Sequence, residues 1–314
     1  MNAKLELEDL YFPVKTSKVF TLLDGTDKHV QIHGKKALIN GKTNRPISVV
    51  SSGYEIITNK EAFLYGENCI RTLFELKGSD KVNIYKVSAS DSLTFCNIDL
   101  FSKNQNLFVL IKDQYIPFVR VTNSYNTMFS LSFKVGIYRV KCSNGMISED
   151  ESIIINYSHV RGAKRRINFQ VNKESFQEIL NKFKTDIQIL VDSAIPELYH
   201  FPIFCKALNL HFNLEEIDEK KKIREAEKLE QTKIFYEDKF NVYKKELGND
   251  NYALYNVITN AASFGLNNEK SYKTKINKRQ SRAGVWLRSF SELLKDGNID
   301  YEEYLKGYLD LFKN

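Results

Sequence analysis

Two runs of cations carry the clearest chemical signal in this chain. Arg161-Gly162-Ala163-Lys164-Arg165-Arg166 sets four positive side chains within six residues. Later come Lys270, Lys273, Lys275, Lys278, Arg279 and Arg282, six cations with no acid among them and Tyr272 in the same run. Cations spaced along a chain neutralise successive phosphates and give salt-sensitive affinity that ignores base sequence. An interleaved tyrosine adds a ring on which a base can stack. The plainer reading is a solvated loop whose charge is balanced by acidic helix residues.

Other side chains offer less. Cys142 and His159, with Asn144 or Asn123 as a third group, have the residue types of a nucleophile, a base and an orienter. A cysteine that follows a strand is more often a buried thiol. His29 and His33 are four apart with no third ligand near them, so no metal is expected. No Walker-type loop and no GxGxxG run occurs, and no cofactor is expected. Arg120, Asn123, Ser124, Arg139 and Asn144 sit at the ends of central strands and, with His159, are expected to form a polar platform on one side of a sheet. The alternative is that these groups satisfy backbone turns.

The elements that would position these residues follow from periodicity. Phe129, Leu131, Phe133, Val135 and Ile137 alternate with Ser130, Ser132, Lys134 and Gly136. A period of two predicts a strand with one buried face. Apolar alternation and short polar links over residues 82–155 predict one antiparallel sheet with 129–140 as a central strand. Before it, residues 47–50 and 54–57 read as a strand pair. Thr58-Asn59-Lys60-Glu61 has capping-box spacing and opens a helix that Gly78 would end. After Phe169 helical spacing takes over. Helices are expected over 176–191, 195–210, 214–247, 252–264, 285–294 and 301–312, with residues 270–282 as a basic loop between two of them. Strands first and helices later make the fold α+β: an antiparallel β-rich N-terminal core over residues 1–170, with a helical C-terminal half over 171–314.

Bulk properties narrow the class. The 314 residues are 42% hydrophobic and 27% charged, the balance of a globular protein with a full core. No apolar run reaches the roughly 20 residues of a membrane helix, and the start of the chain lacks an apolar signal core, which predicts a cytoplasmic protein with no membrane partner. Four cysteines without a CxxC pair read as reduced thiols. The net charge of +7 is compatible with nucleic acid as a partner.

Several of these stretches resemble a family. They are Ile47-Ser48-Val49-Val50-Ser51 with Tyr54 and Asn59, Arg120-Val121-Thr122-Asn123-Ser124-Tyr125, Tyr138-Arg139-Val140-Lys141-Cys142-Ser143-Asn144-Gly145, His159, and Tyr252-Ala253-Leu254-Tyr255-Asn256-Val257-Ile258-Thr259. Together they resemble the phage/plasmid-like protein family, a domain of unknown function numbered nine-three-two, over roughly residues 47 to 265. The chain has Asn126-Thr127 where that family usually has Asp-Gly, and Val160 where it usually has Thr. The resemblance implies a protein carried by phages, plasmids and other mobile elements, with no settled activity.

The leading expectation is a non-enzymatic nucleic-acid-binding protein acting in DNA replication, recombination or protection, with single-stranded DNA as one candidate ligand and a replication protein as one candidate partner. A protein-binding inhibitor of a host defence system and a Cys/His-based enzyme remain open beside it. Oligomeric state is not encoded in these patterns.

Overall fold

The computed structural model describes residues 6–103, 108–111, 113–141, 144–147, 155–167, 173–215, 218–266, 272–297 and 299–309, with side chains described for all of these except 173 and 272–274. The chain forms two compact units, one of residues 1–107, 116–136 and 150–176, the other of residues 108–115, 137–149 and 177–314. Each unit is therefore assembled from three separate stretches, and no single boundary near residue 170 separates them.

The first unit opens with a three-stranded antiparallel sheet in the order β1 (Val14–Leu22), β2 (His29–Asn40), β3 (Pro46–Ser51). The expected partner strand at 54–57 does not form. Tyr54 N–H returns to Ser51 O in a tight turn at 3.0 Å. Tyr54 then makes only an isolated bridge to Val160. Helix α1 (Asn59–Leu73) starts on the expected capping box: Thr58 Oγ1 accepts from Glu61 N–H, and Glu61 Oε2 accepts from Thr58 N–H at 2.8 Å. It stops earlier than Gly78, at Phe74, because Glu75 takes a left-handed φ of 48°. A Cβ on Gly66 would lie 2.2 Å from Val121 Cγ2, so only glycine lets α1 lie this close to the sheet.

The larger sheet runs β10-β8-β7-β5-β4, with β6 paired to β7 and β9 to β8. Its strands are β4 (Val82–Ala89), β5 (Phe95–Ser102), β6 (Phe108–Leu110), β7 (Asp113–Ser124), β8 (Leu131–Arg139), β9 (Gly145–Ile147) and β10 (Ile155–Tyr157). Among the described residues the strands between 82 and 157 thus join one sheet, and β8 is interior in it; residues 107, 153 and 154, also expected in strands, lie outside the described residues. The expectation of a single buried face fails: along β8 only Lys134 is not buried. Ser132 is 6% exposed although it occupies the face read as solvated. An alternating pattern of small polar residues is compatible with burial when the opposite layer accepts them.

The rest of the described chain is helical: α2 (Ala163–Arg166), α3 (Lys173–Asp192), α4 (His200–Leu208), α5 (Glu219–Leu247), α6 (Asp250–Phe264), α7 (Tyr272–Lys295) and α8 (Tyr301–Tyr304). In the second unit α6 is buried on nearly every side and packs against α4, α5, α7 and β9, as expected of a helix apolar all round. Gly248, at φ 67°, ends α5, and Asn249 Oδ1 then accepts Tyr252 N–H at 2.8 Å to start α6. No helix among the described residues is long and apolar enough to cross a membrane.

The predicted basic loop is the correction that matters most. From Tyr272 onward it is the first half of α7. Its buried stripe is Ile276, Gln280, Ala283, Leu287 and Phe290, a 4-3-4-3 spacing broken in sequence by a polar residue. Gln280 is fully buried and donates from Nε2 to Ser263 Oγ at 2.9 Å. The close packing of α7 is also marked by Gly284, where a Cβ would lie 2.3 Å from Ile147 O.

Candidate nucleic-acid interface

Once residues 272–282 are helical, the spacing of their cations changes meaning. Lys275, Lys278, Arg279 and Arg282 stand at i, i+3, i+4 and i+7, which is one face of a helix. That face lines a cavity of about 620 Å³. The other walls are Leu208 to His211 at the end of α4, Lys228, Gln231 and Thr232 of α5, and Leu266 after α6. Among the described residues the lining holds five Lys or Arg side chains and no Asp or Glu. Lys228 is fixed at the rim, donating from Nζ to His211 O at 3.0 Å and to Glu225 Oε2 at 3.0 Å. Arg282 Nη1 reaches Leu208 O at 3.4 Å, at a helix end whose carbonyls carry partial negative charge. Like-charge neighbours on a helix oppose folding by roughly 0.2–0.5 kcal/mol per pair.

A smaller cationic corner stands in the first unit. Arg161, Gly162 and Arg165 line a cavity of about 570 Å³ with Ser52, Gly53, Tyr54 and Glu55. Arg166 is exposed outside this lining. Lys164 turns to Glu61, with Nζ to Oε1 at 2.5 Å. Burial raises the Glu61 pKa, but hydrogen bonds from Lys164 and Thr58 outweigh it and hold the carboxyl below its ordinary value. Lys270 lies outside the described residues, and so does the side chain of Lys273. Cys142 lies outside them as well.

The six residues expected to form a polar platform are all buried: Arg120, Asn123, Ser124, Arg139, Asn144 and His159 are each at most 7% exposed. In the first unit Arg120 makes a two-pronged ion pair with Asp99, Nε to Oδ1 at 2.6 Å and Nη2 to Oδ2 at 2.7 Å. Asn123 Nδ2 donates to Ile57 O and Asn59 Oδ1. Tyr54 OH donates to Ser124 O at 2.7 Å. His159 stacks on Tyr54 with ring centres 4.9 Å apart, and its Nδ1 lies 3.2 Å from Glu55 O. Burial lowers its pKa, so the ring is held neutral.

In the second unit Arg139 is ion-paired to Asp113 at 2.9 Å and to Glu246 at 2.5 Å. Tyr252 OH also donates to Asp113, at 2.8 Å. Asn144 Nδ2 donates to Tyr243 OH and Asn256 O, and Asn144 Oδ1 accepts from Asn260 Nδ2. Gly145 N–H donates to Ser263 Oγ at 2.8 Å. Some residues that carry the family resemblance hold one another within a unit, Asn123 with Asn59 and Tyr54 with Ser124 and His159 in the first, Asn144 with Asn256 in the second. The division between units falls inside the platform: Arg120, Asn123, Ser124 and His159 belong to the first, Arg139 and Asn144 to the second.

Sequence reasoning named Lys275, Lys278, Arg279 and Arg282 and missed Lys228 and the α4 end. The i, i+3, i+4, i+7 spacing was the readable signal for the α7 face. Nothing distinguished Lys228 from the other cations of α5. Among the described residues no three His, Cys, Asp or Glu side chains gather as metal ligands. A family model described as Domain of unknown function (DUF932) matches residues 46–283. No curated protein and no solved structure matches the chain significantly.

Proposed function

The chain belongs to the family described as Domain of unknown function (DUF932), and from that premise we propose that it is a non-enzymatic nucleic-acid-binding protein of a phage, plasmid or other mobile element. It acts in replication, recombination or protection of that element's DNA. One observation carries this reading: four cations on a single face of α7, joined by Lys228, around a cavity lined by no acid among the described residues. Arg and Lys together match phosphate, the first as a planar fork and the second as a point charge. Arg161 and Arg165 supply a second phosphate contact in the first unit. Such contacts hold a backbone without reading its bases.

The test is titration of labelled single- and double-stranded oligonucleotides at several salt concentrations. Affinity should fall with a log–log slope of about −0.7 per phosphate on a single strand and about −0.9 on a duplex. Absence of binding at low salt overturns the proposal.

A second reading, an inhibitor that binds a host defence protein, has its own observation. The β1–β2 hairpin extends beyond the register of β3, which pairs with β2 only over Lys35–Ile39. Phe20 and Leu22 there are 52% and 53% exposed, with Leu23, Val30 and Ile32 exposed beside them. An apolar surface of that kind suits a protein partner better than a phosphate backbone. A host protein that co-purifies with the wild type and is lost with Phe20→Ser and Leu22→Ser would favour it.

A further inference from the structure

Resting on the nucleic-acid reading, we propose that the cavity at Arg161 and Arg165 in the first unit seats a guanine nucleotide, with Glu55 reading the base. Two segments wall the cavity, residues 52–55 on one side and residues 161, 162 and 165 on the other. They are tied together beside it: Glu55 N–H donates to His159 O at 3.1 Å, and Tyr54 bridges to Val160. The volume of about 570 Å³ lies within the roughly 300–1,000 Å³ typical of small-molecule sites. Lys164 turns to Glu61 instead, and the cationic side chains of the lining are Arg161 and Arg165.

A carboxylate is out of place in a site that holds phosphate alone, because like charges repel. Glu55 nevertheless stands in the same lining as the two arginines. Its Oε2 is buried and accepts no hydrogen bond among the described residues. A buried acceptor left unpaired costs free energy, and more so when it is charged. The terminal torsion of a glutamate is broad, so either oxygen can turn to a donor that enters the cavity. His159, stacked on Tyr54 of the cavity wall, has the same deficit. Its Nδ1 lies 3.2 Å from Glu55 O, which only accepts. Nδ1 therefore carries the proton of the neutral ring, and Nε2 is a buried acceptor without a donor among the described residues.

Hydrogen-bond geometry selects the base. An ionised carboxylate only accepts, through two oxygens side by side. Guanine is the common base with two adjacent donors on its Watson–Crick edge, N1–H and the N2 amino group. In adenine and cytosine the amino group stands next to a ring nitrogen that accepts. In thymine N3–H stands between two carbonyls. Each of these sets a lone pair against one oxygen of Glu55. Unstacked bases of a single strand are open to contact on that edge, and a guanidinium plane is a surface on which they stack. Arg161 and Arg165 hold phosphate or stack, which is the same for every base, and Glu55 tells the bases apart. The nucleotide has two sources, a residue of a single strand or a free guanosine phosphate.

The experiment separates them, using the full chain at low salt. Short oligothymidylate strands carrying one central guanine, hypoxanthine, adenine or cytosine are titrated beside the unsubstituted strand. Guanosine and adenosine 5′-monophosphates are titrated by calorimetry. Hypoxanthine keeps N1–H and lacks the amino group, so it tests the second donor without altering the protein. The variant is Glu55→Gln, whose amide sets a donor against one of guanine's two, and thermal melting confirms that it is folded.

The guanine strand should bind about tenfold more tightly than the others, the gain expected of a bidentate base contact, with hypoxanthine in between. Glu55→Gln should lose that preference and keep its affinity for plain oligothymidylate. Preference for the guanine strand identifies the strand as the source. Preference for guanosine monophosphate without strand preference identifies the free nucleotide; if no strand binds at all, the nucleic-acid reading falls while the site stands. Strand binding with no preference among bases or monophosphates overturns the site and leaves the nucleic-acid reading in place. A guanine preference that Glu55→Gln retains, or that hypoxanthine matches in full, also overturns the site. No binding of any strand or monophosphate removes both.

Discussion

Arg120 and Arg139 stand on sheet strands with side chains 1% and 2% exposed, each against a carboxylate within 2.9 Å. The cations of α7 carry the same charge and line a cavity without a carboxylate among its described residues. The first arrangement is a solution to burial. A charge taken out of water is tolerated only when paired and hydrogen-bonded. The second sets like charges along one helix face around a cavity, an arrangement that suits the anion of the proposed function. Cations paired to buried carboxylates therefore belong to the architecture, and under the proposed function the phosphate contacts are the cations that line the cavity. The comparison reassigns Arg120 and Arg139, which sequence position alone placed beside the binding residues.

The largest effect that would break this contrast is on stability. Arg120→Ala leaves Asp99 buried without its two-pronged partner, and the loss should be about 3–5 kcal/mol. Arg139→Ala, which strands Asp113 and frees Glu246, should behave alike. Urea denaturation measures both. A loss well below 1 kcal/mol would mean that these arginines are not architectural.

The α7 cations should behave the other way. Lys278→Gln removes like-charge neighbours at 275–278 and 278–282. At roughly 0.2–0.5 kcal/mol per pair, the variant should be as stable as the wild type or slightly more so in the same denaturation. A clear destabilisation would place Lys278 with Arg120 and Arg139.

The smallest effect sharpens the contrast within one cluster, between Lys164, which is ion-paired, and Arg165, which lines a cavity. Glu61 titrates below its ordinary value of 4.5 in the folded chain. Its stabilising contribution is therefore present above pH 4.5 and is lost as pH falls through the lowered folded value. The pair is partly exposed, so the effect is about 1 kcal/mol or less. Stability measured from pH 7 to pH 3 should fall less steeply in Lys164→Ala than in the wild type. An identical acid limb would show that the ion pair contributes nothing.

What the sequence made legible was local. The strict alternation at Phe129–Ile137 located β8, Thr58 and Glu61 located the start of α1, and Gly248-Asn249 located the break between two helices. What it hid was long-range or masked by one residue. Asp113 and Arg139 are 26 positions apart, and no spacing rule joins them. The burial of Ser132 depends on a layer that periodicity does not show. Gln280 interrupts an otherwise apolar stripe and hid the first half of α7, because its partner Ser263 lies on another helix. The basic residues were visible as a cluster. The cavity was not, since its remaining walls come from α4, α5 and the end of α6.

The central claim is that the α7 face holds phosphates, and the salt dependence of single-stranded DNA binding tests it most directly. Wild type and the Lys275→Gln, Lys278→Gln variant are titrated with one labelled oligonucleotide between low and physiological salt. The variant should bind more weakly at every salt concentration, with a log–log slope shallower by about 0.7 for each phosphate contact removed. Identical affinities and identical slopes would contradict it.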